Sequence, residues 1–177
     1  MNKSLISVAL ATVFLAGCDS YTAPQYQTNP QNTIALQSVA ASGKRATVAS
    51  VSLAQGINPR PSCRLAGPID LGGGQDAQTV INQAILAELL AAGIQSSSGT
   101  PLSVTVTELE PSSVNGTWTI GLRMMSAKGS YDVRQVTNFS TSFSAVSACN
   151  NTATAFNRAL SATILAAVQH PSFRSLL

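Results

Sequence analysis

The sequence predicts an α+β domain in which two helices pack on one face of a four-stranded, mainly antiparallel sheet. Three observations lead to this fold class. Apolar residues recur at helical spacing in two segments, they alternate with polar residues in four others, and breaker-rich turns separate the segments. The resulting element order is β-α-β-β-β-α. Packing both helices on one sheet face would bury all of these apolar stripes.

The first predicted strand covers residues 46–53, with the sequence ATVASVSL. Its alternation places Ala49, Val51 and Leu53 on one face, which we expect to be buried. A loop rich in glycine and proline follows over residues 56–74. This loop connects the strand to the first helix.

The first helix is predicted over residues 75–92. Asp76 lies in its first turn, where a negative charge is favourable to the helix dipole, and Gly93 ends it. Its apolar stripe consists of Val80, Ile81, Ile85, Leu86, Leu89 and Leu90.

Three strand-like segments follow, and hairpin turns between them are predicted at residues 115–116 and 128–129. The expected inward-facing sets are Leu102, Val104 and Val106; Trp118, Ile120, Leu122 and Met124; and Tyr131, Val133, Phe139 and Phe143. Such alternation is typical of an antiparallel meander with one face in water.

The last element is a helix predicted over residues 151–169. Phe156, Leu160, Ile164 and Val168 recur every four residues, and Pro171 prevents the helix from continuing.

The N-terminus carries a short apolar stretch, residues 5–15, behind the positive charge of Lys3. This stretch is too short to span a bilayer and has the layout of an export signal. It ends in Leu15-Ala16-Gly17-Cys18, which resembles the lipobox of bacterial lipoproteins. The alternative is an ordinary secretory signal that is cleaved after Ala16 or Gly17.

The lipobox resemblance implies that residues 1–17 are a signal peptide and that Cys18 carries diacylglycerol and an N-acyl chain. The protein would then be anchored to a membrane of the bacterial cell envelope and face the periplasm. Asp19 resembles an inner-membrane retention signal under enteric rules, whereas other bacteria sort differently, so the choice of membrane stays open.

A polar stretch rich in glutamine and asparagine predicts a flexible tether over residues 18–43, followed by a single domain over residues 44–177. Ile34, Leu36 and Val39 leave open that the tether ends earlier and docks on the domain.

If Cys18 is lipidated, Cys63 and Cys149 are the two remaining cysteines, and the periplasm is oxidising. We therefore expect a Cys63–Cys149 disulfide that joins the starts of the two helices. The competing interpretations are a catalytic thiol and a metal ligand, but neither cysteine has a neighbouring histidine or a CxxC spacing.

Charge gives little indication of a partner. The formal net charge is +3, charged residues make up 10% of the chain, and no basic cluster is present, so we expect no nucleic-acid partner. Arg60 and Arg64 form a small basic patch that could bind lipid phosphates or carboxylates of a partner. The competing interpretation is a pair of solvated loop arginines.

Candidate catalytic groups are sparse. His170 is the single histidine and is interpreted as capping the last helix, and no GxSxG motif accompanies it. Glu108 and Glu110 share a strand face and are interpreted as marking where the strand leaves the core. Residues 72–74 are three glycines ahead of a helix, as in a phosphate-binding loop. The lysine of such a loop is missing, so the run is interpreted as a turn. We expect no metal and no cofactor besides the lipid.

With a lipobox, a tether and a compact domain, the chain resembles small envelope lipoproteins of the ABC-transport auxiliary and lipopolysaccharide-assembly types. The segment CRLAGPIDLGGGQD and the helix opening at residues 148–150 look like family signatures. The resemblance implies a non-enzymatic envelope accessory or assembly component that binds a protein partner or a lipid-like ligand. The alternatives are a cell-wall or glycan hydrolase and a surface-displayed, adhesin-like lipoprotein.

Overall fold

The computed structural model describes residues 21–64 and 66–177. The predicted signal peptide, residues 1–17, and the predicted lipidation site, Cys18, lie outside these residues. The elements in chain order are β1 (Tyr21–Thr22), α1 (Pro30–Ala40), β2 (Ala46–Leu53), β3 (Ile69–Asp70), α2 (Ala77–Ala91), β4 (Thr100–Ser112), β5 (Thr117–Ser126), β6 (Gly129–Asn138), α3 (Ala145–Gln169) and α4 (Phe173–Leu176).

The main sheet has the strand order β2-β4-β5-β6. Strands β2 and β4 are parallel, and the other two pairings are antiparallel. Helix α2 makes the crossover that a parallel pair requires. The α+β class and the mainly antiparallel sheet are therefore confirmed.

Helices α2 and α3 cover the sheet. Helix α2 packs against β2, and α3 packs against β5 and β6. At the centre of the core, the rings of Trp118 and Phe156 lie 5.3 Å apart. The Trp118 indole Nε1 donates a hydrogen bond of 2.8 Å to the carbonyl oxygen of Thr152, so its buried polar atom is satisfied. This confirms Trp118 as a core residue.

Two bulges change the faces predicted from simple alternation. The first lies between Val48 and Ser50, and it leaves Ala49 exposed rather than on the buried face. The second lies between Val106 and Glu108. It places Leu109 in the core, whereas Glu108 and Glu110 stay outside it. Gly121 lies opposite this second bulge.

Position 121 has no room for a side chain, so a glycine is required there. A Cβ atom on Gly121 would approach the Thr107 hydroxyl oxygen to 2.5 Å and the Cβ of Glu108 to 3.0 Å. The extra residue in β4 therefore fits because its neighbour in β5 has no side chain.

Residues 21–43 do not form a tether. Strand β1 pairs in parallel with β3, and α1 packs against α2 and α3 with Leu36 and Val39 buried. The predicted flexible segment is therefore wrong from Tyr21 onward, and the folded unit includes residues before 44. The apolar side chains of α1 and its hydrogen bonds to α2 hold the segment in place.

The helix and strand limits differ modestly from those predicted. Helix α3 begins six residues earlier than expected, because Ser144 caps it through its hydroxyl group. Strand β6 ends at Asn138, so Phe143 lies beyond it and is fully exposed rather than inward-facing. Within the part of the chain that the structure describes, no helix is long and apolar enough to cross a membrane.

Candidate functional site

The disulfide joins the loop before β3 to the N-terminal part of α3. The Cys63 and Cys149 sulfur atoms are bonded, their Cα atoms lie 5.6 Å apart, and both residues are buried. Cys149 lies within α3, because the helix starts at Ala145. The predicted pairing is thus confirmed. It joins this loop to α3 rather than the starts of the two helices, because β3 lies between Cys63 and α2.

Arg64 connects three loops. Its backbone has a positive φ of 48°, which is uncommon for a residue with a side chain. Its guanidinium group donates to the Ser113 hydroxyl and to the carbonyl oxygens of Ser113 and Ser142, each at 3.1 Å. These bonds hold the loop of residues 62–68 against the turn of residues 113–116 and the segment of residues 139–144.

Arg60 lies in a different setting. Its side chain is exposed and makes one long hydrogen bond, 3.4 Å, to the carbonyl oxygen of Gly74. The predicted patch of two arginines is therefore divided, because Arg60 and Arg64 bond to different loops. Of these two arginines, Arg60 is the one whose guanidinium group makes fewer hydrogen bonds within the fold and can donate to a partner.

Asp70 and Asp76 fix the two ends of the glycine loop. The Asp70 carboxyl group accepts hydrogen bonds from the amides of Gly72 and Gly74, at 2.9 and 3.0 Å. Asp76 caps α2 by accepting from the Thr79 amide, and this bond, with a smaller effect of the Arg60 charge, lowers the pKa of Asp76. The loop is thus an organised turn.

A cavity of about 460 Å³ lies between the segment of residues 25–26, the glycine loop and α2. Its polar lining consists mainly of neutral groups that both donate and accept hydrogen bonds. The lining residues that carry these groups are Gln25, Tyr26, Gln75 and Gln83. Neutral amides suit an uncharged polar ligand or the main chain of a partner protein.

Behind this cavity, Glu88 of α2 is completely buried. Its Oε1 atom accepts hydrogen bonds from the Tyr26 hydroxyl at 2.6 Å, the Asn29 amide at 2.9 Å and the Asn32 side-chain amide at 2.9 Å. Asn32 also donates to the Ser161 carbonyl oxygen at 3.2 Å. We call Tyr26, Asn29, Asn32, Glu88 and Ser161 the Glu88 network.

The Glu88 network holds the N-terminal segment and α1 on the domain. Burial, followed by the bond to Glu88, raises the pKa of the Tyr26 hydroxyl, so this group stays protonated and donates. The Oε2 atom of Glu88 and the Oδ1 atom of Asn32 are buried without a hydrogen-bond partner. The acceptor capacity of the network is therefore not fully used.

Sequence reasoning missed this network, although one signal was present. Glu88 follows Ile81 and Ile85 at helical spacing, so its carboxyl group falls on the apolar face of α2. A carboxyl group on such a face needs polar partners from elsewhere in the chain. Tyr26 and Asn32 supply them from the segment predicted to be a tether.

The remaining predicted residues lie apart from the cavity. Glu108 forms a salt bridge with Arg134 at 2.7 Å, and Glu110 is exposed.

His170 lies at the end of α3, as predicted, but its ring does not donate to the helix carbonyl oxygens. Its Nδ1 atom instead accepts a hydrogen bond from the Ser172 amide. The His170 ring stacks on Tyr131 with centroids 4.2 Å apart. Among the residues that the structure describes, no cluster of three metal-ligating side chains occurs.

Comparisons with known proteins leave the family unassigned. No family model matches the sequence, and no curated protein is significantly similar to it. A Xanthomonas campestris protein of family DUF330 superposes with a TM-score of 0.48 at 16% identity, covering 71% of this chain and 81% of that one. An uncharacterised protein superposes with a TM-score of 0.45 at 11% identity, covering 83% and 94%. At these values the comparisons assign no function.

Proposed function

We propose that this chain is a bacterial envelope lipoprotein, anchored through acyl chains on Cys18 and facing the periplasm. It acts without catalysing a reaction, as an accessory or assembly component that binds a protein partner or a lipid-like ligand. The binding site in this proposal is the cavity lined by Gln25, Gln75 and Gln83.

The observation that carries the proposal is the position of the Leu15-Ala16-Gly17-Cys18 sequence relative to the fold. Cleavage before Cys18 would remove a hydrophobic signal and leave every residue of the described elements in place, because the first strand starts at Tyr21. The disulfide also supports an oxidising compartment such as the periplasm.

The test of the anchor is metabolic labelling with a palmitate analogue in the native bacterium. The wild-type protein should be labelled and stay with the membrane fraction, and Cys18→Ser should lose both properties. Ser20→Cys in the Cys18→Ser background is a control for the position of the cysteine, and it should not restore labelling. Labelling of Cys18→Ser at the wild-type level would contradict the proposal.

The binding site is tested separately by a photo-crosslinking amino acid placed at Gln83 of the full chain. A matched probe at Leu90, which is exposed on the same helix, controls for nonspecific capture. The proposal predicts a discrete adduct from position 83 that is absent from position 90. Identical patterns from both positions would contradict binding in this cavity.

A further inference from the structure

We infer that one end of the domain, formed by the residues around Val114, Phe143 and Val146, docks directly on the phospholipid bilayer beside the lipid anchor. We call these three residues the apolar tip. This inference rests on the proposed lipidation of Cys18, and it adds an orientation and a second membrane contact to the anchor.

Only a short stretch of chain separates the anchor from the fold. Tyr21 is 5% exposed and is fixed by the pairing of β1 with β3. Three residue steps separate Cys18 from Tyr21, and an extended chain covers about 3.3–3.6 Å per residue, so Cys18 lies within about 11 Å of β1. The domain therefore cannot stand away from the membrane.

The pairing of β1 fixes the direction in which the chain runs from this strand toward the anchor. Because β1 and β3 are parallel, with Tyr21 opposite Ile69, the start of β1 lies beside the loop of residues 62–68. The disulfide ties that loop to Cys149, near the start of α3. At the other end of the segment, Asn157 donates to the Pro24 carbonyl oxygen. The anchor thus emerges at the N-terminal end of α3.

The N-terminal end of α3 and the adjoining loops expose apolar side chains. Phe143 is fully exposed, and Val114 and Val146 are exposed at 68% and 46%. Arg64 hydrogen-bonds the residues that precede two of them, Ser113 and Ser142, and so gathers them against the loop of residues 62–68. The exposed apolar side chains therefore lie at the end where the anchor emerges.

The chemistry of this end suits a bilayer surface. Residues 62–68, 113–116 and 139–148 contain no aspartate or glutamate, so these three segments carry no acidic side chain that would repel anionic headgroups. Ser142 and Ser144 flank Phe143. Their hydroxyl oxygens accept from the amides of Ser144 and Ser147, and their O–H groups can still donate to headgroup oxygens. An apolar side chain presented by such a loop gains from burial at the acyl boundary.

The test uses the full lipoprotein in vesicles of phosphatidylethanolamine and phosphatidylglycerol with brominated acyl chains, which quench nearby tryptophan. Phe143→Trp reports on the apolar tip, and Ile34→Trp is the matched control. Ile34 is 66% exposed on α1, whose Asn32 contacts Ser161, far along α3 from Phe143. The wild-type emission of buried Trp118 is subtracted from both.

The inference predicts a blue-shifted and quenched emission for Phe143→Trp, and unquenched emission for Ile34→Trp. Equal quenching of the two variants, or none in either, would overturn the inference while the anchor stands, provided mass spectrometry finds the lipid on Cys18. Absence of that lipid from protein taken from the native membrane would instead overturn the proposed function.

Discussion

The substitution Glu88→Ala tests the attachment of the N-terminal segment most sharply. In the folded protein one buried oxygen atom, Oε1 of Glu88, accepts hydrogen bonds from Tyr26, Asn29 and Asn32. Alanine removes that acceptor. Asn32 keeps the carbonyl oxygen of Ser161, whereas the Tyr26 hydroxyl and the Asn29 amide lose the acceptor that Glu88 gives them.

The expected decrease in the free energy of unfolding follows from the Tyr26 and Asn29 donors, which lose their acceptor. A buried donor that loses its acceptor costs about 1–3 kcal/mol, which gives about 2–6 kcal/mol for the pair. Tyr26 and Asn29 are half-buried, so water satisfies part of the loss, and we expect about 2–4 kcal/mol. Small domains have net stabilities of about 5–15 kcal/mol, so this decrease is readily measured.

The assay is urea unfolding followed by the fluorescence of Trp118, combined with hydrogen exchange of the α1 amides. Glu88→Gln is the matched control, because its side-chain oxygen still accepts, and we expect it to cost about 1 kcal/mol. If Glu88→Ala matched Glu88→Gln in stability, and the α1 amides stayed protected, the reasoning about the Glu88 network would be refuted.

Three further predictions concern the fold. Replacing both Cys63 and Cys149 by serine should lower the free energy of unfolding by about 4–5 kcal/mol in the chain-entropy model, and unchanged stability in urea would contradict this. Leu160→Asp should abolish cooperative melting, because Leu160 is fully buried and an unpaired charge would be desolvated there; a wild-type thermal transition would refute its core position. Asp76 has a lowered pKa in the folded state, so its charge stabilises the fold above the unfolded-state value near 3.9, and this contribution is lost as the pH falls through the folded-state pKa. The stability advantage of wild type over Asp76→Asn in urea should therefore be larger at pH 7 than at pH 2.5, and a pH-independent difference would contradict it.

The main sheet and its two covering helices follow from the sequence because burial repeats with a fixed period. Trp118, Ile120, Leu122 and Met124 alternate without interruption, and all four are buried in β5. The disulfide was predictable for a different reason, namely that lipidation of Cys18 would leave two cysteines.

The contacts that could not be predicted from the sequence are made with residues far away along the chain. Helix α1 buries Asn32 together with Leu36 and Val39, so its inner face is partly polar and gives a weak periodic signal. The Asn32 side chain donates to Glu88, which lies 56 residues farther along the chain. Local pattern could not reveal that pairing.

The role of Arg64 was hidden for the same reason. Its acceptors are mostly backbone carbonyl oxygens, which every residue carries and which sequence therefore does not mark. The bulge at residues 106–108 likewise depends on Gly121 in the neighbouring strand.

Intact mass spectrometry of the protein extracted from native membranes decides whether Cys18 is the lipidated first residue. We expect a chain that starts at Cys18, with the added mass of diacylglycerol and one N-acyl chain on that residue. A chain that starts at another residue, or a Cys18 that carries no lipid, would contradict it.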